Sequence, residues 1–204
     1  MINPMSFVDV FTGREPMQYF AQKRISLRKG VMNFALAFFS IGILLGIEFT
    51  LFRFLYGLLT GEELVAMLIG TILFAVAFAV VLPIAFVFRV LLCYVWASLH
   101  FFIAGFFRPN RGDLNEFNGS MLTVFASELV VSGGMSLVPV VGWLAAAIAH
   151  LYSLLVVFRF IKERIGLPEV QAAIIVLIPA NIAMLFMVIA AAAISFILIG
   201  SKVL

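Results

Sequence analysis

The sequence predicts an all-α integral membrane protein, built as a bundle of five transmembrane helices with an additional interfacial helix near residues 90–107. The 204 residues are 65% hydrophobic and only 11% charged, whereas a soluble domain is about half apolar and about a quarter charged. The apolar residues also fall into continuous runs. At about 1.5 Å per residue, a run of about 20 residues can cross a hydrocarbon core of about 30 Å.

Residues 1–30 are predicted to form a cytoplasmic amphiphilic tail ahead of a membrane domain that covers residues 31–204. Short apolar clusters in this tail suit the surface of an anionic leaflet when basic residues follow them. The same pattern is typical of the basic flank that orients a first membrane span. The basic residues of the tail that lie nearest to the membrane domain are Lys23, Arg24, Arg28 and Lys29.

The first span is predicted at residues 31–56. Gly42 and Gly46 stand four positions apart in it, a spacing that permits close approach of another helix and is compatible with a homo-oligomer. Glu48 and Arg53 come late in this run. Both are therefore expected near the far boundary of the membrane, where they can be hydrated.

The second span is predicted at residues 64–88. The apolar block that starts at residue 64 continues past Arg89 to residue 107. This block is too long for one span, and it has too few turn residues to contain two spans. Residues 90–107 are therefore predicted to lie as a helix at the inner interface, with Arg89, Trp96 and His100 toward the headgroups.

A membrane hairpin is predicted after the polar loop at residues 108–118. Its arms, residues 119–137 and 143–161, are each long enough to cross the bilayer and are joined by a short turn around Pro139. The last span is predicted at residues 170–199, which is long enough to tilt or to protrude.

The distribution of charge predicts the orientation of this bundle. Under the five-span arrangement, all of the thirteen Lys and Arg residues except Arg53 and Lys202 lie on the N-terminal side of the membrane. Basic loops favour the cytoplasmic side, so the N-terminus is expected in the cytoplasm and the C-terminus outside. The predicted cytoplasmic basic face comprises Lys23, Arg24, Arg28, Lys29, Arg159, Lys162 and Arg164.

Polar residues within the apolar runs indicate a candidate site. Glu128 lies eleven residues before Pro139 and His150 lies eleven residues after it, so the arms of the hairpin place both side chains at the same depth. Asn181 reaches a similar level, twelve residues after Glu169. Buried ionisable groups are expensive in a membrane. We interpret these residues either as a proton-, ion- or solute-responsive site or as a polar cluster that locks helices together.

Nothing in the sequence predicts an enzyme. Motifs for zinc proteases, serine hydrolases, phosphate-binding loops and dinucleotide sites do not occur, and no cofactor or metal site is expected. No nucleic-acid-binding module is visible either. Cys93 is the single cysteine and is interpreted as a small buried apolar residue.

Short motifs occur in a characteristic order around the predicted hairpin. They are Gly119-Ser120 before residues 122–127, Pro139-Val140-Val141-Gly142-Trp143, and Leu167-Pro168-Glu169-Val170-Gln171-Ala172-Ala173. In this order they resemble the YIP family, the Ypt/Rab-interacting membrane domain family, in its prokaryotic branch. The resemblance implies five membrane helices in the plasma membrane of a prokaryote, with a cytoplasmic N-terminus and the C-terminus across the membrane.

Two functions remain open at this point. The resemblance implies a membrane organiser or adaptor, whose cytoplasmic protein partner would contact the tail and residues 108–118 and 159–164. The alternative is a small transporter or channel built around Glu128, His150 and Asn181. Water distinguishes the two functions, because a transporter needs an aqueous path to these residues and an adaptor does not.

Overall fold

The computed structural model describes residues 9, 11–12, 17–138 and 141–200. It is all-α, and no strand occurs within these ranges. The long helices pack side by side and are joined by short loops, and the turn around Pro139 lies partly outside the described residues. The helices are α1 (Met17–Gln22), α2 (Leu27–Thr60), α3 (Leu64–Phe107), α4 (Leu114–Ser136), α5 (Val141–Ile165) and α6 (Glu169–Gly200).

Local sequence signals explain where several of these helices begin and end. Ser26 caps α2, and its hydroxyl accepts a 3.4 Å hydrogen bond from the backbone N–H of Lys29. Asp113 caps α4 in the same way. Gly61 ends α2 and Gly166 follows α5, with φ angles of 71° and 69° that a residue with a side chain rarely adopts.

Four helices in the described part of the chain are long and apolar enough to cross a membrane: α2, α3, α5 and residues Glu169–Ile194 of α6. These helices indicate membrane insertion, as the sequence predicts. The predicted count of five spans is not confirmed, because α4, which covers the fifth predicted span, falls outside this set. The reason is its composition, since serine, threonine, asparagine and glycine occupy much of its length.

Helix α3 corrects the prediction for residues 90–107. Residues 64–107 form one continuous helix of 44 residues that passes through Pro83 and Arg89, so there is no separate interfacial helix. The proline removes only one backbone hydrogen bond, and no Gly, Asn or Asp follows it to end the helix before Gly105. At about 1.5 Å per residue the helix is about 66 Å long, about twice the thickness of a hydrocarbon core.

Helix α4 lies at the centre of the bundle, in close contact with α2. A Cβ atom added to Gly30 would collide with the backbone of Gly119, and one added to Gly119 would collide with the backbone of Ile25. Further along the same contact, the Asn33 side-chain amide donates a buried 3.0 Å hydrogen bond to the Thr123 hydroxyl. The two helices therefore run parallel, and glycine is required where their backbones meet.

Hydrogen bonds hold the loops together at one end of the bundle. The Arg164 guanidinium donates to the backbone carbonyls of Ala21 at 2.7 Å and Lys23 at 3.2 Å. The Arg108 guanidinium donates to the carbonyl of Gly166 at 2.9 Å. The N-terminal segment, the α3–α4 loop and the α5–α6 loop therefore share one end, as alternating up-and-down helices require.

Candidate functional site

The centre of the candidate site is a contact between Glu128 on α4 and His150 on α5. Nδ1 of His150 lies against Oε1 of Glu128 within ion-pair distance. The Glu128 side chain is 11% exposed, whereas that of His150 is 55% exposed. The contact joins the residues that the hairpin geometry placed at equal depth, because antiparallel helices of equal rise bring together positions equidistant from the turn.

Glu128 also lines a cavity of about 310 Å³ between the helices, which is open at the surface, as the exposure of Arg89 and Leu92 in its wall shows. Helices α2 to α6 each contribute to its wall, and α3 contributes most of the polar groups. The apolar part of the wall consists of Phe34, Leu92, Phe125, Leu129, Leu154, Val157 and Val176. The remaining lining residues are Arg89, Cys93, Trp96, His100, Glu128 and Ser153. An apolar pocket with a few convergent polar groups is typical of a small-molecule site.

His100 presents a defined hydrogen-bonding state. Its Nδ1 lies 2.7 Å from the backbone carbonyl of Trp96, and a carbonyl can only accept, so Nδ1 carries the proton. In the neutral ring Nε2 is then an acceptor. The residue is only 1% exposed, and the Trp96 ring packs edge-on to it with centroids 5.6 Å apart. His100 therefore lies inside the protein.

Arg89 is the second basic group on the cavity wall. It is exposed and lies near the middle of α3, about 27 Å along the helix from Phe107. Among the residues that the structure describes, its guanidinium has no hydrogen bond and no ion pair within 4.0 Å. The nearby carboxylate of Glu128 is in contact with His150 instead.

The sequence predicts Arg89, Trp96 and His100 toward the headgroups, and in the structure all three line the cavity. The three residues share one face of α3 with Cys93. Their spacing at positions 89, 93, 96 and 100 is that of a helical stripe. The sequence groups Arg89, Trp96 and His100, but it does not show that α2, α4, α5 and α6 close a cavity beside them.

Asn181 does not join the pair of Glu128 and His150. Its side-chain amide donates a 2.8 Å hydrogen bond to the carbonyl of Leu177 in its own helix, and the residue is exposed. It is also not part of the cavity wall. Helix α6 reaches the cavity through Val176 instead. The structure thus brings two of the three sequence-predicted residues together.

The structure divides the predicted basic face into two groups. Arg164 is half-buried and binds backbone carbonyls of the N-terminal segment, and Lys162 forms a 2.7 Å ion pair with Glu169. These two residues connect elements of the fold. The exposed members are Lys23, Arg24, Arg28, Lys29 and Arg159.

The arrangement around Glu128 has the chemistry of proton exchange and of binding to a charged solute. Across the described ranges, no group of three or more His, Cys, Asp or Glu side chains is placed to hold a metal ion. Comparison with protein-family models, with curated proteins and with solved structures finds no match to this chain.

Proposed function

We propose that this protein is a small membrane transporter that binds its solute in the cavity beside Glu128. The observation that carries the proposal is the convergence of Arg89, His100 and Glu128 on one cavity within an otherwise apolar bundle. Ionisable groups at such depth are costly, and in membrane proteins they mark ion and substrate pathways. A polar cluster that served only to lock helices together would need no cavity.

The pair of Glu128 and His150 supplies a means of coupling. The buried carboxylate faces the cavity, and the imidazole that holds it is half-exposed. When both groups are ionised, their charges cancel, and with a neutral His100 the charge of Arg89 leaves the cavity wall net positive. Uptake of one proton by the pair adds a second positive charge, and loss of one proton leaves the wall neutral. The charge that a bound solute meets therefore depends on the protonation of the pair.

The proposal also includes an orientation and a setting. The protein lies in the plasma membrane of a prokaryote with its N-terminus in the cytoplasm and its C-terminus outside. Support comes from the single end of the bundle that gathers the N-terminal segment with Arg108 and Arg164, since basic residues favour the cytoplasmic side. Transport of this kind requires neither a cofactor nor a catalytic residue, and we assign the protein no enzymatic activity.

The test uses Cys93, the single cysteine, which lines the cavity. The protein in sealed vesicles is treated from each side with a negatively charged, membrane-impermeant methanethiosulfonate. Labelling of Cys93 is expected from at least one side, because water must reach the solute site. The Cys93→Ala variant provides the blank.

Two further variants, both in the Cys93→Ala background, make either result interpretable. Glu63→Cys lies in the exposed α2–α3 loop and should react readily. Ile84→Cys lies on the exposed apolar surface of α3, where the side chain is 66% exposed toward lipid, and should stay unreactive. If Glu63→Cys reacts while Cys93 does not react from either side, the cavity is dry and the transport proposal is wrong.

A membrane organiser or adaptor of YIP type is the second candidate function. The observation that favours it is the exposure of Arg24, Arg28, Lys29 and Arg159 at the end of the bundle to which α1 is attached. Such a surface suits an acidic cytoplasmic protein partner. Reversal of these four charges to Glu should abolish cross-links to partner proteins in native membranes and leave Cys93 labelling unchanged. Persistence of the cross-links would exclude this surface.

A further inference from the structure

We infer that the solute is an acidic amphiphile, a molecule with one anionic head and a single apolar chain, and that Arg89 binds the head. This inference rests on the proposed function, because it names the ligand class of the same cavity. It assigns a binding role to Arg89, whereas the predicted cluster contained only Glu128, His150 and Asn181.

The charge balance of the cavity wall indicates an anion. Glu128 has His150 as its partner, whereas Arg89 has no hydrogen bond or ion pair among the described residues. A guanidinium stays charged and carries five N–H donors in a planar fork, which matches a carboxylate or a phosphate. Within the described part of the chain, the N–H donors of Arg89 are without a direct partner, which is unfavourable in a membrane, so an anion that enters the cavity would satisfy them.

The size and lining of the cavity indicate the rest of the ligand. At about 310 Å³, it lies at the lower end of the range for small-molecule sites and holds roughly ten groups of the size of a water molecule. A methylene group has a similar volume, so a single medium-length chain fits and the two chains of a phospholipid do not. The side chains available to such a chain include Leu92, Leu129, Leu154, Val157 and Val176.

Trp96 can report where the chain lies. It is seven residues after Arg89 on the same face of α3, about 10 Å along the helix. If the head is at Arg89, the indole is beside the far part of the chain. The sequence has two tryptophans, Trp96 and Trp143, and Trp143 is 68% exposed and not part of the cavity wall. Trp143→Phe therefore leaves a single emitter at the site.

The experiment measures quenching of Trp96 fluorescence in the purified Trp143→Phe protein by brominated undecanoic acids. We expect saturable quenching that is stronger for 11-bromoundecanoic acid than for the 2-bromo acid, because Trp96 faces the end of the chain. The uncharged methyl ester should bind about tenfold or more weakly, since it cannot form the charge-assisted hydrogen bonds to Arg89. An 11-bromoundecyl phosphate in the same assay distinguishes a phosphate head from a carboxylate head.

Variants assign the head group to Arg89. Arg89→Gln should weaken binding of the acid about tenfold or more and leave binding of the ester unchanged, and Arg89→Lys should retain part of the affinity. Arg53→Gln is the matched control, because Arg53 pairs with Glu62 near the opposite end of α2 and should have no effect. Glu128→Gln should tighten binding of the acid by removing a negative charge from the wall.

Equal quenching by acid and ester would overturn the inference, and so would full affinity in Arg89→Gln. The comparison of acid with ester needs no Arg89 variant, so the inference stays testable if that variant does not fold. Failure here together with labelled Cys93 would leave a wet cavity with a different solute. Failure of both experiments would remove the proposed function as well.

Discussion

Helices α3 and α4 differ in how apolar they are and in how many of their side chains are buried. On α3 most large apolar side chains are exposed, and the buried residues are few and lie mainly in its second half, from Cys93 to Ala104. On α4 polar side chains are buried together with apolar ones, and Asn118, Ser120, Thr123 and Ser127 are each no more than 5% exposed.

The comparison of α3 with α4 shows how a lipid environment changes which kinds of residue are buried between helices. Lipid chains are as apolar as leucine, so helices in a membrane associate through close packing and hydrogen bonds between small and polar residues. The most apolar helix is then the one that faces lipid, and the helix at the centre is the least apolar. For this reason α3 is long and apolar enough to cross a membrane by its composition, whereas α4 falls outside the set of such helices.

The largest effect is expected where α4 meets the backbone of α2. Gly119→Ala places a Cβ against the backbone at Ile25 and Ser26, which has no flexible side chain to move aside. We expect destabilisation by about 3 kcal/mol or more, measured as the free energy of unfolding in detergent micelles.

A second glycine of the same helix provides the control. Gly134 has no heavy atom within 4 Å of an added Cβ, so Gly134→Ala should be neutral or stabilise the protein by up to about 1 kcal/mol through helix propensity. Equal effects of the two substitutions would mean that α4 is not packed against α2 as the structure shows, and the contrast with α3 would lose its basis.

A smaller effect is expected from the contact between Glu128 of α4 and His150 of α5. We expect a double-mutant cycle of Glu128→Ala and His150→Ala to give a coupling free energy of about 0.5–3 kcal/mol, because the two side chains are in contact. His150 is half-exposed, which favours the lower part of this range, since solvent weakens the attraction.

The matched cycle pairs Glu128→Ala with Ser153→Ala. Ser153 shares the cavity wall with Glu128, but its hydroxyl donates a 2.6 Å hydrogen bond to the carbonyl of His150. Coupling near zero is expected for this cycle. A coupling of zero in both cycles would show that the pair contributes nothing to α4–α5 association.

The same contrast explains which features the sequence could predict. Apolar runs predicted membrane insertion. Equal spacing from Pro139 predicted that Glu128 and His150 lie at the same depth, and the two side chains are in contact. Both predictions need only the rise of a helix. The continuity of α3 was not predicted, because an apolar block of 44 residues exceeds the length of one span and was therefore divided at Arg89. For Asn181 the rise of the helix predicts a depth, but rise says nothing about the direction in which a side chain points.

The smallest effect is expected at Asn181, which lies outside the pair. Its amide binds Leu177 of its own helix and is exposed, so Asn181→Leu should change stability by less than about 0.5 kcal/mol. Thermal unfolding in detergent checks this value, and Trp96 quenching by 11-bromoundecanoic acid should be unchanged in the same variant. A loss of quenching comparable to that of Arg89→Gln would mean that α6 turns Asn181 toward the cavity when solute binds. Helix α6 would then contribute a polar group to the site in addition to Val176, and solute binding would require movement of α6.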